Sequence, residues 1–122
     1  METRSNLIQY VQPHSVLIVG FNNYNELSSA MEKVIKETQT YLFSIVVGGI
    51  EYSSYKTLAE QWAINNGAGI IRIYDSDFDR LIWKLHKEVD YIVIKIDNDT
   101  PNVWKRFMEQ MVREGKHGKV IR

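Results

Sequence analysis

The sequence predicts an α/β fold, a doubly wound parallel sheet of about five strands with helices on both faces. Short runs rich in β-branched residues recur along the 122 residues. Longer segments with helical spacing separate them. The short runs barely alternate between apolar and polar, as strands covered on both faces do.

The elements follow in order. Ser15-Val-Leu-Ile-Val-Gly20 reads as the first strand. Leu27, Met31, Val34 and Ile35 then mark one face of a helix over 25–38. Phe43-Ser-Ile-Val-Val47 is the second strand, and Leu58, Trp62 and Ala63 place a helix over 55–66. That helix stops at Asn65-Asn66-Gly67, residues suited to a left-handed C-cap. Ile70-Ile-Arg-Ile-Tyr74 is the third strand, followed by a helix over 77–87 carrying Leu81, Ile82 and Leu85. Tyr91-Ile-Val-Ile-Lys-Ile96 is the fourth. Val103, Phe107, Met108, Met111 and Val112 support the last helix, over 101–114. It opens at Thr100-Pro101, a capping residue before proline, and closes at Gly115 ahead of the strand Lys119-Val-Ile121. Right-handed crossovers and a single reversal give the Rossmann-like order 3-2-1-4-5. Residues 1–14, with Leu7, Ile8, Tyr10 and Val11 ahead of Pro13, read as an extended arm or short edge element. No linker or repeat divides 1–122, so one domain is expected.

Composition excludes several classes. Fifteen basic and fifteen acidic side chains cancel, leaving no global field towards nucleic acid or an anionic membrane. Without cysteine there is no disulfide framework, thiol nucleophile or cysteine zinc site. No apolar run approaches the ~20 residues of a membrane span. The opening Met-Glu-Thr-Arg-Ser-Asn lacks a signal-peptide pattern, so a cytoplasmic location is expected.

Ligands of open α/β sheets bind beyond the carboxyl ends of the strands, so candidate residues are sought there. Gly20, Phe21 and Asn22 follow the first strand. Gly48-Gly49 follows the second and is read as a turn that lets backbone amides approach a ligand, with Tyr52 and Tyr55 as stacking aromatics. Arg80 and the Thr100 hydroxyl complete the set. Asp75, Asp77, Asp97 and Asp99 make an acidic mouth that admits two readings. They either hold a hard cation such as Mg²⁺, or they are helix caps and solvated loop charges. His14, His86 and His117 are dispersed, and no serine stands in a nucleophile elbow. Trp62, Trp83 and Trp104 read as core or interface anchors. Lys105, Arg106, Arg113, Lys116, Lys119 and Arg122 form a local basic stretch without interleaved aromatics, read as a solvated face rather than a nucleic-acid site.

The succession Val16-Leu-Ile-Val-Gly20, Ile45-Val-Val-Gly48-Gly49, Leu58-Ala-Glu-Gln-Trp62-Ala and Asn66-Gly67 resembles the YspA-like branch of the SLOG superfamily. The resemblance runs on through Asp90-Tyr-Ile-Val-Ile, Thr100 and Gly115-Lys-His-Gly-Lys-Val-Ile121. It implies a Rossmann-like domain that binds nucleotides or nucleotide-derived ligands and associates as a homodimer. The family's Gly-Ser-Arg after the first strand is Gly20-Phe21-Asn22 here, and its later loop glycine and aspartate are absent. The scaffold looks inherited and the pocket rebuilt or abandoned. The expected function is a non-catalytic binding module for such a small molecule. The alternatives are a scaffold acting through protein–protein contact, in the manner of phage accessory proteins, and a Mg²⁺-dependent nucleotide hydrolase.

Overall fold

A computed structural model of the chain describes residues 12–40, 42–49 and 57–122. The strands are β1 (Ser15–Val19), β2 (Ser44–Gly49), β3 (Gly69–Tyr74), β4 (Tyr91–Lys95) and β5 (His117–Ile121). The helices are α1 (Tyr24–Thr38), α2 (Leu58–Asn66), α3 (Phe78–Glu88) and α4 (Asn102–Arg113). All strands pair in parallel, in the order β3-β2-β1-β4-β5. This is the order the sequence predicts.

The two-residue period of each strand divides the core into two layers. Val16, Ile45, Val47, Tyr91 and Val93 face α1 and α2, where Leu27, Met31, Val34 and Trp62 cover them. The Trp62 indole stacks parallel to the Phe43 ring, centroids 6.1 Å apart. Leu17, Val19, Val46, Ile92 and Ile94 face α3 and α4, under Leu81, Leu85, Phe107 and Met111. Truncating a fully buried Met31 or Phe107 to alanine removes this cover and costs about 2–5 kcal/mol. Ion pairs tie both ends of α1 to the strands beneath, Lys95 to Glu26 and Lys119 to Glu37. These carboxylates are half exposed, so each pair contributes about 0–1 kcal/mol.

Four boundaries depart from expectation. Helix α2 begins at Leu58 rather than near 55, because Thr57 and Glu60 form a capping box. The Thr57 hydroxyl accepts from the Glu60 amide at 3.1 Å, and the Glu60 carboxylate accepts from the Thr57 amide at 3.0 Å. Thr100 does not cap α4, whose N-cap position is Pro101 with no side-chain acceptor. Strand β5 starts at His117, two residues before the apolar Lys119–Ile121 run, because its register with β4 begins at Tyr91. Gly48 and Gly49 are not a turn. They close β2, in register with Ile73 and Tyr74. Residues 1–11 of the expected arm lie outside the described residues.

Candidate functional site

A cleft of about 470 Å³ opens at the carboxyl ends of β1 and β2. Gly20 and Phe21 bound it after β1, Gly48 and Gly49 at the end of β2, and Phe78 and Trp104 from the far layer. Its other described walls are aliphatic apart from Thr57, and among the described residues no charged side chain lines it. Glycine is required at the first of these positions. Gly20 has φ +90°, and a β-carbon there would overlap the Lys95 carbonyl. At Gly48 the reason is packing, since a β-carbon would stand 2.9 Å from the Leu85 side chain of α3. The Gly49 carbonyl accepts from the Asp75 amide at 3.1 Å, so this backbone is partly committed to β3.

Beside the cleft lies a smaller, more polar pocket of about 270 Å³. It sits between the turn after β1 and the turn after β4, and Val19, Gly20 and Trp104 border both spaces. Strands β1 and β4 are neighbours whose following helices pack on opposite faces, so this is the topological switch point. Asn22, Asp97, Asp99 and Thr100 line it. Within the turn, the Asp97 amide donates to the Thr100 hydroxyl at 2.8 Å, and the Asp99 amide donates to the Asp97 carboxylate at 2.9 Å. At the end of β4, the Lys95 ammonium pairs with Glu26 in the first turn of α1.

The other anticipated polar residues are placed elsewhere. Asp75 accepts from the Arg80 guanidinium at 3.1 Å, from Lys84 at 2.9 Å and from the Asp77 amide at 2.9 Å. The Arg80 hydrogen bonds hold its carboxyl far below the usual carboxylate range, helped by the Asp77 amide and Lys84. Arg80 is thus engaged with Asp75, and neither lines the two spaces. Asp77 caps α3 by accepting from the Arg80 amide at 3.1 Å. The turns after β3 and β4 are separated by β2 and β1, about 14 Å at sheet spacing. The four aspartates therefore do not form one mouth. Among the described residues, no group of three or more His, Asp or Glu side chains is placed to hold a metal. Tyr52 and Tyr55 lie outside the described residues.

Sequence reasoning missed three features of this end of the sheet. Lys95 interrupts an otherwise apolar strand at its carboxyl end, a signal that was available. Phe78 and Trp104 reach the cleft from α3 and α4, which nothing local in the sequence announces. The Thr57–Glu60 box was legible as Thr-x-x-Glu before an apolar helix. Glu60 also ties α2 to the edge strand, receiving the Arg72 guanidinium at 2.9 Å. Burial pushes its pKa up, but hydrogen bonds from the Thr57 amide and Arg72 outweigh this, and the net shift is downwards.

Fold and site together define a doubly wound parallel α/β domain with an apolar cleft and a polar pocket meeting at its switch point. No family model, curated protein or solved structure matches the chain. Among the described residues, no helix is long and apolar enough to cross a membrane.

Proposed function

We propose that the chain is a binding module for a nucleotide or nucleotide-derived small molecule, held at the carboxyl ends of β1, β2 and β4. The observation that carries this reading is the pairing of the two spaces around Val19, Gly20 and Trp104. A nucleoside has the same division into a flat, weakly polar ring and a hydroxyl-rich sugar. The ring would lie among Phe21, Phe78 and Trp104, where stacking and burial stabilise it. The sugar would face Asn22, Asp97 and Thr100, which supply donors and acceptors. The cleft volume falls within the usual range for small-molecule sites. The resemblance to the SLOG branch supports the same end of the sheet.

Charge narrows the ligand further. Asp97 and Asp99 repel a bare polyphosphate, while Lys95 is already neutralised by Glu26. A nucleoside or monophosphate-level ligand fits these groups better than a triphosphate. The test is thermal denaturation in the presence of nucleosides, nucleoside monophosphates and cyclic dinucleotides, each with and without Mg²⁺. A ligand at 100 times its Kd raises stability by about 2.7 kcal/mol. The expected result is a rise with at least one nucleobase ligand that disappears in Phe21→Ala/Phe78→Ala and persists in Asp77→Asn. No rise with any of them at millimolar concentration overturns the reading. A rise that requires Mg²⁺ and is lost in Asp97→Asn/Asp99→Asn favours the metal-dependent hydrolase instead.

A further inference from the structure

Helices run antiparallel to the strands in this fold, so the carboxyl half of α3 lies at the opposite end of the sheet from the cleft. Two depressions open between α3 and α4, one of about 540 Å³ at that end and one of about 360 Å³ that runs along α4 as far as Val103 in its first turn. His86 and Gln110 border both, which makes them one furrow along the helix pair. Its floor is apolar. Ile82 and Val103 line one half above the buried Phe107 ring, on which the His86 ring stacks with centroids 4.0 Å apart. Trp83, 60% exposed, forms the wall of the other half.

The rim carries charge of one sign. Lys87, Lys116, Arg106 and Arg113 surround the furrow against a single carboxylate, Glu114. Lys87 lies over the Trp83 ring at 4.5 Å, and Lys116 donates to the His86 carbonyl. Arg106 and Arg113 make no ion pair among the described residues. This excess stands out in a chain whose total charge is zero. It lies outside the proposed ligand site and does not depend on it.

We infer that this furrow docks an acidic amphipathic helix of a protein partner. The apolar face of that helix lies over Ile82, Val103 and Trp83, and its carboxylates reach Arg106, Arg113, Lys87 and Lys116. Helix-in-groove recognition needs an apolar floor at helical spacing and complementary rims, and both are present. A second copy of this chain fits worse, because a two-fold contact sets the same positive rim against itself. A nucleic acid fits worse as well. Trp83 is the one largely exposed aromatic along the furrow among the described residues, so successive bases find no row of stacking platforms.

The test titrates the full chain into a labelled peptide of about two heptads, with leucine at one helical face and glutamate elsewhere. Anisotropy is read at about 0.1 M salt, where exposed charges beyond ~10 Å are screened. Saturable binding is expected, weakened at least about tenfold by Arg106→Gln/Arg113→Gln and, independently, by Trp83→Ala. All these positions are exposed or at the rim, and melting curves establish that each variant is folded. An equally tight complex with a glutamate-only peptide overturns the inference, because the apolar floor is then idle. Unchanged affinity in both variants, or no saturable binding, overturns it too. Tighter binding of a single-stranded RNA of equal charge assigns the furrow to nucleic acid. Self-association abolished by Trp83→Ala assigns it to a second copy, and either result removes the acidic helix.

Discussion

A β-carbon on Gly20 would fall inside the van der Waals shell of the Lys95 carbonyl oxygen, so the chain leaving β1 passes directly against the end of β4. This close approach brings the two turns of the switch point together. It also separates the glycine positions by mechanism. Gly20 combines φ +90° with a backbone overlap, Gly67 has φ +71° with nothing within 4 Å, and Gly48 meets only the flexible end of Leu85.

Alanine substitutions should therefore rank in that way. Gly67→Ala costs about 1 kcal/mol, the conformational part alone. Gly20→Ala costs at least about 2–3 kcal/mol, because neither backbone nor carbonyl can yield. Gly48→Ala costs about 1–2 kcal/mol as Leu85 shifts rotamer. Urea midpoints of the three variants check the ranking, and Gly20→Ala as mild as Gly67→Ala contradicts it.

Glu60 holds the start of α2 and the edge strand at once. Thr57→Ala, which removes one capping bond, is expected to cost about 1 kcal/mol. Glu60→Ala leaves the Thr57 amide and Arg72 without their acceptor, and about 2–3 kcal/mol is expected. Glu60→Gln, which can keep neutral hydrogen bonds, should fall between them. Thermal denaturation of the three side by side reads the order.

Acid sensitivity has two separate windows. Asp75 and Glu60 have folded pKa values below their unfolded ones, so the unfolded chain binds these protons more readily. The stability they contribute is complete above the ordinary carboxylate value near about 4 and is lost progressively as pH falls from there through the lower folded values. In Asp75→Asn the decline below pH ~4 should be shallower than in the wild type, as measured by urea midpoints across pH.

His86 sets the higher window. Burial lowers its pKa, the facing Glu114 carboxylate opposes this, and Lys116 adds to it. Its Nδ1 is buried without a hydrogen-bond partner among the described residues, 3.6 Å from the Glu114 carboxylate. Because the unfolded imidazole takes the proton first, stability falls as pH drops below its ordinary value of about 6.5. His86→Gln should flatten the melting temperature between pH ~7.5 and ~5.5, above the carboxylate window. An unchanged slope there would place the dependence on another group.

The sequence by itself determined the alternation of elements and the strand order. Uninterrupted runs such as Val16–Val19 and Tyr91–Ile94 leave no polar face, so they demand cover on both sides, and right-handed crossovers then admit few arrangements. Helix stops at Gly67 and Gly115 were legible because left-handed backbone selects glycine locally. Only the tertiary structure decided the site. Gly48 and Gly49 read as a turn in isolation, yet pairing with Ile73 and Tyr74 extends β2 through them, and Leu85 explains the missing side chain. Asp75, Asp77, Asp97 and Asp99 look alike in sequence. The fold commits the first to Arg80 and Lys84 and the second to a helix cap, and sets the other two at the switch point. The approach of Trp104 and Phe78 to Gly20 joins residues far apart in the chain. Long-range packing of this kind depends on where the helices lie across the sheet, which local residue pattern does not encode.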